Sequence, residues 1–225
     1  LWNPPQQTDP EEPEEPDDVS FVVYNHLADS PDVNVSTVWE VTLSQNGVEK
    51  ECMVFQSTCP VYDPSKGMIG SDRTALELVA GRTISWANFS FDGEVTVTAR
   101  ILDPSRVPMS SSVAVYPSRK HVSPSLSGQS VTFTLTEPGQ YSVEVGAEGY
   151  RNGLMIFANP LEKDAPKSDD AAYRRVENAT AADMAALPAD RSGIYFARGV
   201  HDIGKYIVPA HVKNIYIPGD AYVYG

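Results

Sequence analysis

The sequence predicts an all-β protein, an antiparallel β-sandwich followed by the start of a parallel β-helix. Three observations predict this. From Val19 to about Pro160, short runs rich in β-branched and aromatic residues alternate with Gly, Pro and Asn-Gly turn signals, with no helical period across them. At 225 residues the chain is long enough to bury a real core between two sheets. The last thirty-odd residues, "GIYFARGVHDIGKYIVPAHVKNIYIPGDAYVYG", write one pattern twice. Ile194-Tyr195-Phe196 stands over Ile215-Tyr216-Ile217, 21 residues further on, which is a solenoid period.

Taken in order, "LWNPPQQTDPEEPEEPDD" over 1–18 is Pro-rich, acidic and almost without apolar side chains. It cannot bury enough surface to offset its ordering entropy, so it reads as an extended linker, either a plain spacer or a tether. A sandwich domain is expected over 19–161. "VSFVVYNHL" is strand-like, and "STVWEVTLSQNGVEKECMVFQS" folds as a hairpin about Asn46-Gly47. "GRTISWANFSF" and "EVTVTARIL" are expected to pair in the same way across Asp92-Gly93. In the second of these, Val95, Val97, Ala99 and Ile101 share one face, with Thr96, Thr98 and Arg100 on the other. "SSVAVYPS" adds a further strand, and "SVTFTLTEPGQYSVEV" turns back at Pro138-Gly139. "LMIFANPLE" has the apolar content of a buried strand.

Residues 162–192 are polar and broken by Pro166 and Pro188, so they read as a connector, with a helical turn around "AADMAAL" capped by Thr180. Over 193–225, "IYF", "YIV", "IYI" and "YVY" supply short strands, and Gly199, Gly204, Pro209, Asn214 and Gly219 supply corners. One coil cannot cover its own apolar ends, so these residues are expected to open a longer solenoid of which the sequence holds only the first coil. The first residue, Leu1, likewise fits a chain processed or cut from something longer.

The formal net charge of −13 argues against nucleic acid and anionic membrane surfaces as partners. Seven of those charges are Asp9, Glu11, Glu12, Glu14, Glu15, Asp17 and Asp18. Without them the charge is −6, that of an ordinary acidic domain. No apolar run reaches the length of a membrane span. Cys52 and Cys59 fit two arrangements, a disulfide across a tight bend or two small buried thiols.

Trp39, Trp86 and Phe133 are expected to fill the layer between the sheets. An exposed sugar-binding platform is the alternative for the same three. His201-Asp202 is the most enzyme-like dyad, yet it sits where a satisfied corner explains it better than acid–base chemistry. Asp92 is explained by Asp-Gly turn chemistry, and Asp169-Asp170 misses the spacing of a calcium loop. No catalytic, cofactor-binding or metal-binding residue is therefore assigned. Three sequons, at Asn34, Asn88 and Asn178, point toward secretion.

"NGLMIFANPLE", a polar connector, then "IYFARGVHDIG" and "VKNIYIPGDAYVYG" resemble glycoside hydrolase family 49, the dextranases and isopullulanases. The match is clearest from Asn152 to Gly225; upstream it is one of pattern. The resemblance implies an N-terminal sandwich handing over to a right-handed parallel β-helix. It implies a secreted or cell-surface polysaccharide hydrolase acting by inversion on an α-glucan such as dextran or pullulan. Its aspartates would stand on later coils, leaving this stretch non-catalytic and partnered by the remainder of its own β-helix. Two other functions remain open on the residues alone. One is a carbohydrate-binding or anchoring module; the other is the N-terminal part of a pectin-degrading β-helix enzyme.

Overall fold

The structure, a computed structural model, describes residues 19–25, 27, 33–62, 76–107, 109–110, 112–146 and 152–225; at 59–62 and 76–82 it describes the backbone alone. The acidic segment 1–18 and the side chain of Cys59 lie outside the described residues.

The first part of the chain forms β1 (Phe21–Val23), β2 (Trp39–Gln45), β3 (Val48–Cys52), β4 (Val54–Tyr62), β5 (Leu76–Phe91) and β6 (Val95–Ile101). It continues with β7 (Val113–Tyr116), β8 (Ser125–Ser127), β9 (Ser130–Leu135), β10 (Gly139–Val145) and β11 (Leu154–Pro160). These strands make two sheets. One runs β1-β5-β11-β10-β7, with β4 also paired to β5; the other runs β3-β2-β6-β9-β8. Every pair is antiparallel except β11 with β5, which is parallel. A single cluster from Phe21 to Ala158 fills the space between them.

Period-two alternation decides which side chains enter that cluster. Val95, Val97, Ala99 and Ile101 are all fully buried, as the sequence predicts, while Arg100 faces out to pair with Glu40 at 2.9 Å. Full burial of a Val or Ile side chain contributes about 1.5–3 kcal/mol, so this strand alone is a major stabilising element. Asn46 and Gly47 take φ of 52° and 82°, the two left-handed residues of a tight hairpin turn, and they join β2 to β3 in register.

The other two predicted hairpins do not form. Asp92-Gly93 leads from β5 in one sheet to β6 in the other, and Pro138-Gly139 leads likewise from β9 to β10. The turn residues are correct but the chain arches across the core instead of folding back. A side chain from outside the turn holds the first arch: the Gln45 amide donates to the carbonyls of Asp92 and Glu94, both at 2.9 Å. The "LMIFANPLE" strand, β11, is central in its sheet but buries only one face. Leu154, Ile156 and Ala158 point inward, and Met155 and Phe157 stand half-buried on the outside.

From Tyr173 the architecture becomes a parallel β-helix. Its strands are β12 (Tyr173–Val176), β13 (Gly193–Phe196), β14 (Gly199–Asp202), β15 (Asn214–Tyr216) and β16 (Ala221–Tyr224). They stack as β12-β13-β15 on one side and β14-β16 on another, all parallel. Ile194 pairs with Ile215 and Tyr195 with Tyr216, the register read from the repeated motif. The stretch 162–192, read as a connector, itself supplies the strand β12. Its apolar signal is weak because Tyr173, Arg174 and Arg175 are all half-buried and only Val176 is buried. Arg174 shares the inner side with Val176, beside Ile194, and its guanidinium pairs with Asp190. The short helix α1 (Ala181–Ala185) carries the predicted Thr180 cap, in a full capping box with Asp183. Inside the coil, Val176, Ala179, Met184, Ile194 and Phe196 form a second core.

Candidate functional site

The structure places each residue that the sequence singled out. Trp39 and Phe133 lie between the sheets as expected, and the Trp39 indole N–H donates to the Asn152 carbonyl at 2.7 Å. Trp86 does not. On β5 it alternates with Ser85 and Ala87, whose small side chains face the core, so the indole projects from the outer face. There it stacks on Phe55 of β4, ring centroids 4.0 Å apart and planes within 8°. Phe55 in turn faces Tyr222 of β16 at 6.1 Å.

This stack is the join between sandwich and coil. Leu27, Val33, Met53 and Phe55 are buried there, with Trp86, Val200 and Tyr222 packed against them. A second contact lies beside it. A Cβ on Gly219 would come within 2.4 Å of the Tyr24 ring, so the coil approaches this closely only because position 219 carries no side chain. The Tyr24 hydroxyl meets Ser90 Oγ at 2.8 Å, and the Tyr216 hydroxyl donates to Glu162 at 2.6 Å. Burial, reinforced by that carboxylate, raises the Tyr216 phenol above its ordinary range. Sequence reasoning missed this join, since its residues come from β4, β5 and β16 and share no local motif.

His201 and Asp202 are not a dyad. Adjacent strand residues point to opposite sides, and His201 enters the coil interior while Asp202 is exposed. The imidazole is fully used: Nδ1 accepts from the Ala179 N–H at 3.0 Å, and Nε2 donates to the Ala197 carbonyl at 2.7 Å. It is a structural bolt between successive coils. Asp92 Oδ1 accepts from the Gly93 N–H, and Asp170 Oδ1 from the Ala172 N–H, so both act as turn residues. Among the described residues, no three His, Cys, Asp or Glu side chains gather into a metal-binding group.

Cys52 is a free, buried thiol that leans on the Asn88 carbonyl at 3.6 Å. Burial pushes its thiol up to about 12, so the reactive thiolate is suppressed at neutral pH. In a Cys59→Ser background at pH 8, a thiol reagent is expected to label Cys52 only after denaturant is added. Labelling within minutes in native buffer would contradict this burial.

The sequon hydroxyls all have structural partners. Ser36 Oγ caps the Val38 and Trp39 N–H groups and meets Ser85 Oγ, Ser90 Oγ meets Tyr24, and Thr180 caps α1. On the outer face of the first sheet, beyond Trp86, Ile84, Asn88, Met155, Phe157 and Asn159 complete a groove of about 580 Å³. A second cavity, about 360 Å³, opens on the coil between α1 and the segment 203–212, with Arg174, Arg191, Lys205 and His211 on its rim. Among the described residues, no carboxylate lines either of them.

No protein-family model matches the sequence, and no curated protein matches it. Among solved structures the fold is similar to that of Dex49A from Penicillium minioluteum. The TM-score is 0.62 with 18% identity, over 86% of this chain and 43% of that chain. The chain therefore spans less than half the length of the structure it matches.

Proposed function

We propose that this chain is the β-sandwich and opening β-helix coils of a secreted glycoside hydrolase that cleaves an α-glucan of the dextran type. The observation that carries the reading is the arrangement: a two-sheet sandwich joined through its outer face to parallel coils, similar over most of its length to the dextranase Dex49A. The "NGLMIFANPLE" to "PGDAYVYG" stretch, which resembles family 49, lies in β11 and the coils of that arrangement. Ile215 and Ile217 are 43% and 49% exposed on the outermost rung, an apolar face of the kind that another coil covers. In this reading the sandwich covers the flank of the first coils and fixes where the stack begins. Hydrolysis belongs to a carboxylate pair on later coils, one donating a proton to the leaving oxygen and the other activating water on the opposite face.

The test compares the 225-residue chain with the product of the extended gene on dextran, pullulan and polygalacturonate. The longer protein is expected to release reducing sugar from an α-glucan with inversion at the anomeric carbon, and the 225-residue chain none. Turnover by the short chain, or action of the long one on polygalacturonate alone, would remove the assignment.

A further inference from the structure

We propose that the outer face of the first sheet carries a binding site for neutral polysaccharide, seated on Trp86, Phe157, Asn88 and Asn159. Strands β5 and β11 run side by side and parallel, with Met155 opposite Trp86 and Phe157 opposite Asn88. Two rows of side chains thus project from one face, apolar at one end and amide at the other. They line the groove of about 580 Å³, within the range of sites that hold small ligands.

The chemistry of that lining selects the occupant. The Trp86 and Phe157 rings are 6.2 Å apart with planes at 81°, which makes an apolar corner. A pyranose has an apolar C–H face and a polar hydroxyl rim, so it suits aromatic faces flanked by hydrogen-bonding groups. Asn159 Nδ2 donates to Asn88 Oδ1 at 2.7 Å. That bond orients both amides and leaves the pair one N–H₂ donor and one carbonyl acceptor for neighbouring sugar hydroxyls. Among the described residues, no charged side chain lines the groove. A uronate would lose water beside Trp86 and Phe157, and none of these six residues is a cation to receive it, so this lining suits a neutral glucan better than pectin. An N-linked sugar on Asn88 is the competing occupant, but the Ser90 hydroxyl of that sequon is 6% exposed and committed to Tyr24.

The choice of α-glucan rests on the hydrolase reading; the site itself does not. The test is affinity electrophoresis of the 225-residue chain through gels containing dextran, pullulan or polygalacturonate, with melting curves for each variant. Retardation by a neutral α-glucan and none by polygalacturonate is expected. Phe157→Ala and the double change Asn88→Ala with Asn159→Ala are each expected to weaken it at least about tenfold. The amide change decides the matter if Phe157→Ala does not fold. Free mobility in both neutral glucans, equal retardation by polygalacturonate, or unchanged retardation in the variants would overturn the proposal. So would a glycan on Asn88, detected by mass spectrometry of protein from a secreting eukaryotic host. Hydrolysis by the longer protein without retardation of this chain removes the groove and leaves the hydrolase; retardation without hydrolysis does the reverse.

Discussion

Trp39→Ala is expected to destabilise the sandwich by about 3–5 kcal/mol, enough to unfold a marginally stable domain. The indole is 1% exposed at the start of β2, beside Val38 and Ile101, which are fully buried. Its removal leaves a cavity that the surrounding β-branched side chains cannot collapse to fill. It also removes the donor at 2.7 Å from the Asn152 carbonyl. That carbonyl belongs to a residue held at φ 52°, whose side chain accepts from the Thr83 N–H and from Arg106. Trp39→Phe separates the two contributions, since it keeps most of the packing and loses only the donor. Urea unfolding of both variants is the measurement. A loss below about 1 kcal/mol for the alanine variant would contradict the packing described here.

His201→Phe is expected to cost about 2–6 kcal/mol in the coil, although it keeps a ring of similar size in an apolar interior. The ring contact with Phe196, 5.0 Å between centroids, can survive the change. The hydrogen bonds cannot. The Ala179 N–H and the Ala197 carbonyl, both in residues at most 2% exposed, would be buried without partners at about 1–3 kcal/mol each. Amide exchange at Ala179 should quicken together with the fall in unfolding free energy. The exposed neighbour provides the control, because Asp202→Asn should change stability by no more than about 0.5 kcal/mol. Equal, small effects at both positions would mean that His201 is not the bolt between coils.

Much of the fold was legible because it depends on local pattern. The alternation in "EVTVTARIL" assigns faces to β6 wherever that strand is placed, since the pleat has a period of two. Asn46-Gly47 specifies a hairpin through the left-handed backbone both residues accept. The Ile-Tyr motif, repeated after 21 residues, became the register of β13 on β15 because stacked coils align equivalent residues. What stayed illegible depended on partners distant in sequence. Asp92-Gly93 reads the same in a hairpin and in an arch; the Gln45 side chain, 47 residues away, holds the arch. Trp86 reads as a core residue because size and apolarity say nothing of which side of a sheet is inside. Strand β12 was hidden because Arg174 takes an inner position beside Val176 and Arg175 the outer one, so the sequence shows no apolar alternation, and the strand takes its support from β13.

By itself, then, the sequence determined the class of structure, the faces of its strands and the point at which a stacked repeat sets in, all consequences of periodicity and backbone preference within a few residues. Only the tertiary structure decided where the sandwich meets the coil, that His201 is a bolt and not an acid, and that Trp86, Phe157 and two asparagines share one groove. Those outcomes come from side chains on β4, β5, β11, β14 and β16 meeting other segments across the fold, and contacts between segments far apart in the chain leave no periodic trace along it.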